Sequence, residues 1–287
     1  MLQRLKTAVD DKPRDNQAGF RQNRSCADHI ATLRIILEQS NEFNSSLYTV
    51  FVDFTKAFDN LDRDVLWQLI RHYGIPEKCI AIIRNTYTGM QSKSISPLLF
   101  LLAIDWIMKK ATDGRRNCFQ WTMFNHLDDL DFFDDIALLS HSHQQMQEQL
   151  TQVERRAAAT GLRINTKKIK VLKSNTKTRA DLRVNGQNLE EVDSCTYLGS
   201  EVDNIRGSDQ DVKIRIGKTR TVFNMMGSIW KARNISLKTK VRLFNSNVKT
   251  ILLYGAETWK TTKGLLHKLQ VFINNFLRCI LNIRWPE

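Results

Sequence analysis

The sequence lacks paired cysteines. Its five, Cys26, Cys79, Cys118, Cys195 and Cys279, are scattered, odd in number and form no CxxC. That excludes a disulfide framework or a cysteine zinc site and leaves free thiols in a reducing compartment. The six histidines include no HExxH, and His141 and His143 have no ligand partner at metal spacing, so they read as surface residues. A long hydrophobic run is missing too. PLLFLLAIDWIM is too short to span a bilayer and contains Asp105. The opening residues, MLQRLKTAVDDKPRD, are too often interrupted by charge to be a signal peptide. Internal repeats and low-complexity tracts are absent. A soluble, intracellular protein is expected, with no choice made between nucleus and cytoplasm.

Acid is in short supply as well. Against 43 Lys and Arg stand 30 Asp and Glu, a formal charge of +13. Such a surface attracts polyanions, nucleic acid foremost. The length of 287 residues suits one large or two small domains, and 42% hydrophobic content suffices for a core.

What acid there is concentrates in LDDLDFFDDIALLS (Leu127–Ser140), where five aspartates fall within eight positions of an apolar run. Burying an unpaired carboxylate is costly, so these acids either hold something positive or face water. The flanking pattern places them. Ser25 with Asp28 reads as a capping box before the helical face Ile30, Leu33, Ile36 and Leu37. SLYTVFVDF is apolar almost throughout, the mark of a buried strand, and it ends on Asp53. Helices follow over about 62–73, to about 88, from Ser96-Pro97 to about 110, and over 144–160 with Gly161 as the stop. The aspartate-rich stretch reads as two short strands around a turn at Asp134-Asp135. GLRIN, KIKVLKS and CTYLGSEV each read as a strand, and LRVNGQNL as a hairpin on Asn-Gly. Ser208 with Asp211 opens a helix toward Trp230, Ser236 opens one through about Leu253, and a third covers about 262–281. Residues 205–287 hold 16 Lys and Arg against 4 Asp and Glu. The fold class is therefore α+β, a mixed α/β body followed by a basic helical region, with the boundary near 204–208.

If the strand ending on Asp53 lies beside the Asp134-Asp135 hairpin, three carboxylates converge. They repel unless a hard cation sits between them, and Mg²⁺ suits oxygen ligands. Two such ions would clamp the attacking and leaving oxygens of phosphoryl transfer. The acids that follow Asp53, namely Asp59, Asp62 and Asp64, suit a helix start better than a metal. Asp128, Asp129 and Asp131 read as solvated or as paired with nearby Lys and Arg. Asp129 and Asp131 share one strand face. Asp105 has no evident role.

FVDFTKAFD (Phe51–Asp59) and FFDDIALLS (Phe132–Ser140) resemble the two metal-binding palm motifs of reverse transcriptases, more narrowly those of LINE-type, non-LTR retrotransposons. QAGFRQNRSCADHIATLR is similar to the family's fingers segment and SPLLFLLAIDWIM to the helix after its third palm motif. GLRINTKKIKV is similar to its fourth motif, YLGS to its primer-grip hairpin, and LLYGAETW lies in the thumb-like region. The resemblance implies partial fingers over 1–46, a palm over 47–204 and a basic helical thumb-like region over 205–287. It implies Asp53, Asp134 and Asp135 as ligands of two Mg²⁺ ions, with Mn²⁺ as a substitute. Lys168 would touch the triphosphate or protonate pyrophosphate. Phe58 would abut the sugar 2′ position of the incoming nucleotide. Arg21 and Ser96 would lie at the nucleotide, and Arg24, Tyr197, Leu198 and Gly199 along the nucleic acid. The implied partners are an RNA template, a DNA primer and a dNTP, with no membrane.

The sequence departs from the family in three ways. Phe133 replaces the usual alanine before the first aspartate of the pair, and added volume in a packed site costs roughly 1–3 kcal/mol. The Arg-Gln-Gly tripeptide of the third motif has no counterpart, as though a stretch near 91–95 had been deleted. The chain begins within the fingers and ends at RWPE. Little or no polymerase activity is expected. The alternatives are a non-catalytic nucleic-acid-binding remnant, in which Trp230, Tyr254 and Trp259 grip nucleic acid unless they pack in the core, and a Mg²⁺-dependent nuclease or phosphatase.

Overall fold

A computed structural model describes residues 13–14, 16–19, 21, 24–55, 60–89, 96–112, 119–120, 126–178, 180–204 and 208–283. The capping box closes as expected. Asp28 N donates to Ser25 Oγ and Ser25 N to Asp28 Oδ2, opening α1 (Cys26–Glu42). Strand β1 (Leu47–Val52) leads to α2 (Arg63–His72), which the Asp62 carboxylate caps at Asp64 N and Val65 N. Then come α3 (Glu77–Gly89), α4 (Ser96–Thr112), β2 (Asp129–Phe132), β3 (Asp135–Ser140), α5 (His143–Ala159), β4 (Lys170–Ser174) and the short β5 (Glu190–Glu191).

The sheet runs β2-β3-β1-β4-β5. β1 pairs antiparallel with both β3 and β4, and β4 pairs parallel with β5. Being central, β1 buries both faces. Tyr48, Val50 and Val52 meet α4 and α5 on one side, while Leu47 and Phe51 meet α1 and the hairpin β6 (Ser194–Tyr197)–β7 (Ser200–Asp203) on the other. Helices α2 and α3 extend the layer against α4 through Trp67, Ile70, Ile80, Ile83 and Leu102.

Residues 208–283 form helices α6 (Asp209–Met225), α7 (Gly227–Lys231), α8 (Leu237–Leu243) and α9 (Lys263–Leu281). A π-helical stretch, Phe244–Lys249, continues α8 into Thr250–Leu252. Trp230 and Trp259 are buried in the two apolar clusters that join these helices. Among the described residues no helix is long and apolar enough to cross a membrane.

Three local expectations are corrected. GLRIN makes only the bridge Phe54–Ile164, because Gly161 ends α5 at φ +83 and the chain turns again at Asn165, whose carbonyl accepts from Lys168 and Ile169. CTYLGSEV is two strands, since Leu198 (φ +48) and Gly199 (φ +79) make the left-handed pair a tight hairpin needs. The helix expected to reach Trp230 breaks at Met226, and Ser208 does not cap it. The Ser208 hydroxyl accepts from Lys260 N instead, and Asp211 turns inward.

Candidate active site

The register of β1 against β3 pairs Val52 with Ile136, so Asp53 and Asp135 lie just beyond it at one end of the sheet. The two-residue turn Phe133-Asp134 joins β2 to β3 there. Asp53 is half-exposed. It accepts from Asn165 Nδ2 at 3.2 Å and pairs with Lys168 Nζ at 3.3 Å. Burial pushes the Asp134 carboxyl up, and Asp53 adds to this while Lys168 opposes it. Asp135 is pushed up to about 6 by burial and by the charges of Asp134 and Asp53. The three carboxylates and Lys168 therefore share one electrostatic neighbourhood, assembled from three segments.

The donor set fits a hard divalent cation: oxygen ligands only, with mutual repulsion that a cation relieves. Yet among the described residues no group of three His, Cys, Asp or Glu stands close enough to hold one ion. The Lys168 ammonium already balances Asp53, so an ion there would take the place of that cation.

The turn itself is strained. Phe133 has φ +64, a left-handed conformation that costs a bulky residue roughly 1–2 kcal/mol. Its ring packs against α4, 5.5 Å from the Phe100 ring. Its backbone N–H donates to Gln17 Oε1 at 3.0 Å, and the same oxygen accepts from Gly19 N at 2.8 Å.

Two other aspartates of the stretch, Asp129 and Asp131, are wholly buried and paired. Asp129 and Asp131 are 0% exposed on the same face of β2, as is Asp105 on α4. Arg14 enters among them. Its Nη1 donates to Asp129 Oδ1 at 2.9 Å, its Nη2 donates to Asp131 Oδ2, and its Nε lies 3.4 Å from Asp105 Oδ1. Asp105 also accepts from Arg14 N at 2.9 Å and from the Tyr73 hydroxyl. One guanidinium cannot neutralise three acids. Asp129 and Asp131 stand against each other: burial and the Asp129 charge push Asp131 well up, while Arg14 outweighs burial at Asp129 and brings it down. The solvated reading fails for these two, and the pairing reading holds.

Sequence reading missed Arg14, Tyr73 and Gln17. It had one signal available: two acids on one strand face and a third in an apolar helix, all needing a buried cation.

The remaining expected residues fall as follows. Arg21 Nη1 donates to the Arg14 carbonyl at 2.9 Å, bracing its own segment. Arg24 is exposed before α1, and Ser96 is the first residue of α4. Tyr197 is buried, with its hydroxyl donating to Leu130 O at 3.0 Å. Leu198 and Gly199 form the β6–β7 turn, and the Tyr254 hydroxyl donates to Leu198 O at 2.9 Å. Phe58, Asp59, Cys118 and the expected deletion near 91–95 lie outside the described residues.

Residues 1–202 match the family model described as reverse transcriptase (RNA-dependent DNA polymerase), and residues 222–254 match a domain of unknown function. The chain is 28% identical over 127 residues to the "Retrovirus-related Pol polyprotein from type-2 retrotransposable element" of Drosophila melanogaster, covering 37% of this chain and 12% of that protein. It is 24% identical over 305 residues to the "Probable RNA-directed DNA polymerase from transposon BS" of the same fly, covering 93% of this chain and 32% of that one. It thus spans less than a third of the length of either relative. Among solved structures, telomerase from Candida albicans with a fragment of telomeric RNA superimposes with a TM-score of 0.51 at 13% identity, covering 99% of this chain and 54% of that one. At that identity the likeness is one of fold.

Proposed function

Because the chain belongs to the reverse transcriptase (RNA-dependent DNA polymerase) family, we propose that it is an RNA-directed DNA polymerase by descent, of LINE type, with Asp53, Asp134 and Asp135 as its metal-binding carboxylates. The observation that supports this most directly is their convergence at one sheet end, where burial, with the charges of Asp134 and Asp53 added, pushes Asp135 up to about 6. Two Mg²⁺ ions, or Mn²⁺, bound there would stabilise charge on the attacking primer 3′-OH and on the oxygen leaving the α-phosphate of a dNTP. The chain's own contribution is to hold the acids and to exclude water from one side of them. Lys168, at 3.3 Å from Asp53, is assigned to the triphosphate once that carboxylate is engaged. Phe58, Arg21 and Ser96 are assigned to the nucleotide, and Arg24, Tyr197, Leu198 and Gly199 to the template–primer. The division into fingers-like 1–46, palm 47–204 and thumb-like 205–287 belongs to the same proposal.

Activity is proposed to be low, since the third palm motif is cut near 91–95 and no closed ligand group is assembled among the described residues. The second reading, a binding remnant, draws on the excess of 16 basic over 4 acidic residues in 205–287. Primer extension on an RNA template separates the two. The first reading expects slow, Mg²⁺-dependent extension that both Asp53→Asn and Asp134→Asn abolish. Extension surviving both substitutions sinks the metal assignment. Salt-sensitive binding with no extension at any protein concentration selects the remnant, and cleavage of the template selects a nuclease.

A further inference from the structure

Arg14 and the segment Asn16–Gly19 lie along β2 and reach the turn that carries Asp134. Asp131 N donates to Asn16 O at 3.1 Å and Ala18 N to Asp131 O at 2.9 Å, so the segment pairs with the sheet edge through Gln17. Gln17 is 0% exposed. Its Oε1 accepts from both Phe133 N and Gly19 N, while its Nε2 has no partner among the described residues. The amide orientation is thus fixed by its oxygen, because the reversed amide would set two donors against two donors. Gly19 completes the fit. A Cβ there would stand 2.6 Å from Phe133 N and 3.0 Å from Gln17 Oε1. Of the turn's two residues, Phe133 is the one with positive φ, so it is the one that needs to be held.

We infer that Gln17, with Gly19 giving it room, is a positioning residue for the carboxylate turn: it pins the Phe133 backbone and thereby sets where Asp134 and Asp135 stand. The inference rests on the reading of those acids as cation ligands, but the pinning itself is separately measurable. Residues that orient a metal's ligands typically change its affinity about 10–100-fold when removed.

The test uses the full chain, selectively ¹⁵N-labelled at phenylalanine, with Mn²⁺ binding followed by electron paramagnetic resonance. Gln17→Met keeps the volume and removes the acceptor. Its expected effects are faster amide exchange at Phe133 and Mn²⁺ binding weakened about tenfold or more. Gln17→Glu, which keeps an accepting oxygen, is expected to restore most of both. In a Phe133→Gly background, where the positive φ is adopted freely, Gln17→Met is expected to cost less than about twofold in Mn²⁺ affinity. If Gln17→Met does not fold, Gly19→Ala replaces it, with the same expectations for exchange and binding. Unchanged Phe133 exchange in the variant overturns the inference, as does an equal loss of Mn²⁺ affinity in both backgrounds. Wild-type protein that binds no Mn²⁺, or binds it equally well as Asp134→Asn, overturns the underlying assignment of the acids. The Phe133 exchange rates still report whether Gln17 holds the turn in that case.

Discussion

At the scale of single residues, the buried acids make opposite predictions for near-identical substitutions. Burial and the Asp129 charge push the Asp131 carboxyl well up, toward the neutral form that Asp131→Asn mimics while keeping an oxygen for Arg14. The substitution is expected to change unfolding free energy by less than about 1 kcal/mol. Arg14→Met removes the one cation that, among the described residues, pairs with Asp129 and Asp131, and leaves buried charge uncompensated. It is expected to cost about 3–5 kcal/mol in urea denaturation. Similar losses in the two variants would mean that Asp131 is ionised.

His29 offers a test by pH. Burial lowers it to about 4, with Asp28 and Asp129 opposing and Arg24 assisting, and the edge of the Phe132 ring lies against it. A base whose folded value lies below its unfolded value, near 6.5, binds fewer protons when folded. Its contribution is therefore fully present above about 6.5, is lost as pH falls toward about 4, and amounts to roughly 3 kcal/mol. Asp135, raised to about 6, runs the other way, since the folded state gains its proton first on acidification. Subtracting His29→Gln from wild type cancels that contribution. A difference that stays flat between pH 7.5 and 4.5 would show that His29 is not buried as a neutral ring.

At the scale of elements, what the sequence made legible was whatever depends on neighbours a few positions apart. Ser25 with Asp28, Asp62 before α2, the two-sided burial of β1 and the Asn185-Gly186 turn (φ +53 and +72) are all local chemistry. Gly161 belongs with them as a helix stop, and its strictness is measurable. Its φ is +83 and an added Cβ would lie 2.6 Å from Asn60 O. Gly161→Ala is expected to destabilise by about 1–3 kcal/mol, read as a lowered midpoint in thermal unfolding. A gain in stability would show that the α5 end is not held in this turn. What stayed hidden depends on distant partners. Arg14 is 115 positions from Asp129, and nothing in its own surroundings marks it as the buried cation. Ser208 and Asp211 carry a capping pattern that the fold overrides, because Lys260 N and Arg34 compete for the same oxygens. The candidate carboxylates were found because strand ends can be read locally. The brace behind them was not, since Gln17 meets Phe133 from 116 positions away.

At the scale of the whole molecule, the proposed boundary near 204–208 divides composition more sharply than it divides contacts. Asp211, 1% exposed at the start of α6, accepts from Arg34 Nη2 of α1 at 2.9 Å, Trp259 Nε1 at 2.9 Å and Glu201 N of β7 at 3.1 Å. Arg34 also donates to the carbonyls of Glu201 and Thr258. Arg215, on α6, donates to Gly199 O in the β6–β7 turn and lies 4.5 Å over the Tyr254 ring. One buried carboxylate thus joins α1, the β6–β7 hairpin and the basic helices. Folding units separate where few contacts cross, and here charged, desolvated contacts do cross. The chain is therefore expected to unfold in one cooperative transition, with tryptophan fluorescence and far-ultraviolet circular dichroism giving coincident midpoints. Asp211→Ala leaves the Arg34 charge without its carboxylate and the Trp259 N–H without its acceptor, at a cost of about 3–5 kcal/mol. Because that loss falls on the junction, the helices of 208–283 are expected to melt first and the two probes to separate. Asp211→Asn keeps an acceptor for Trp259 and is expected to lie between. Separate transitions already in the wild-type chain would show that the basic helical region folds on its own and that Asp211 only decorates the contact.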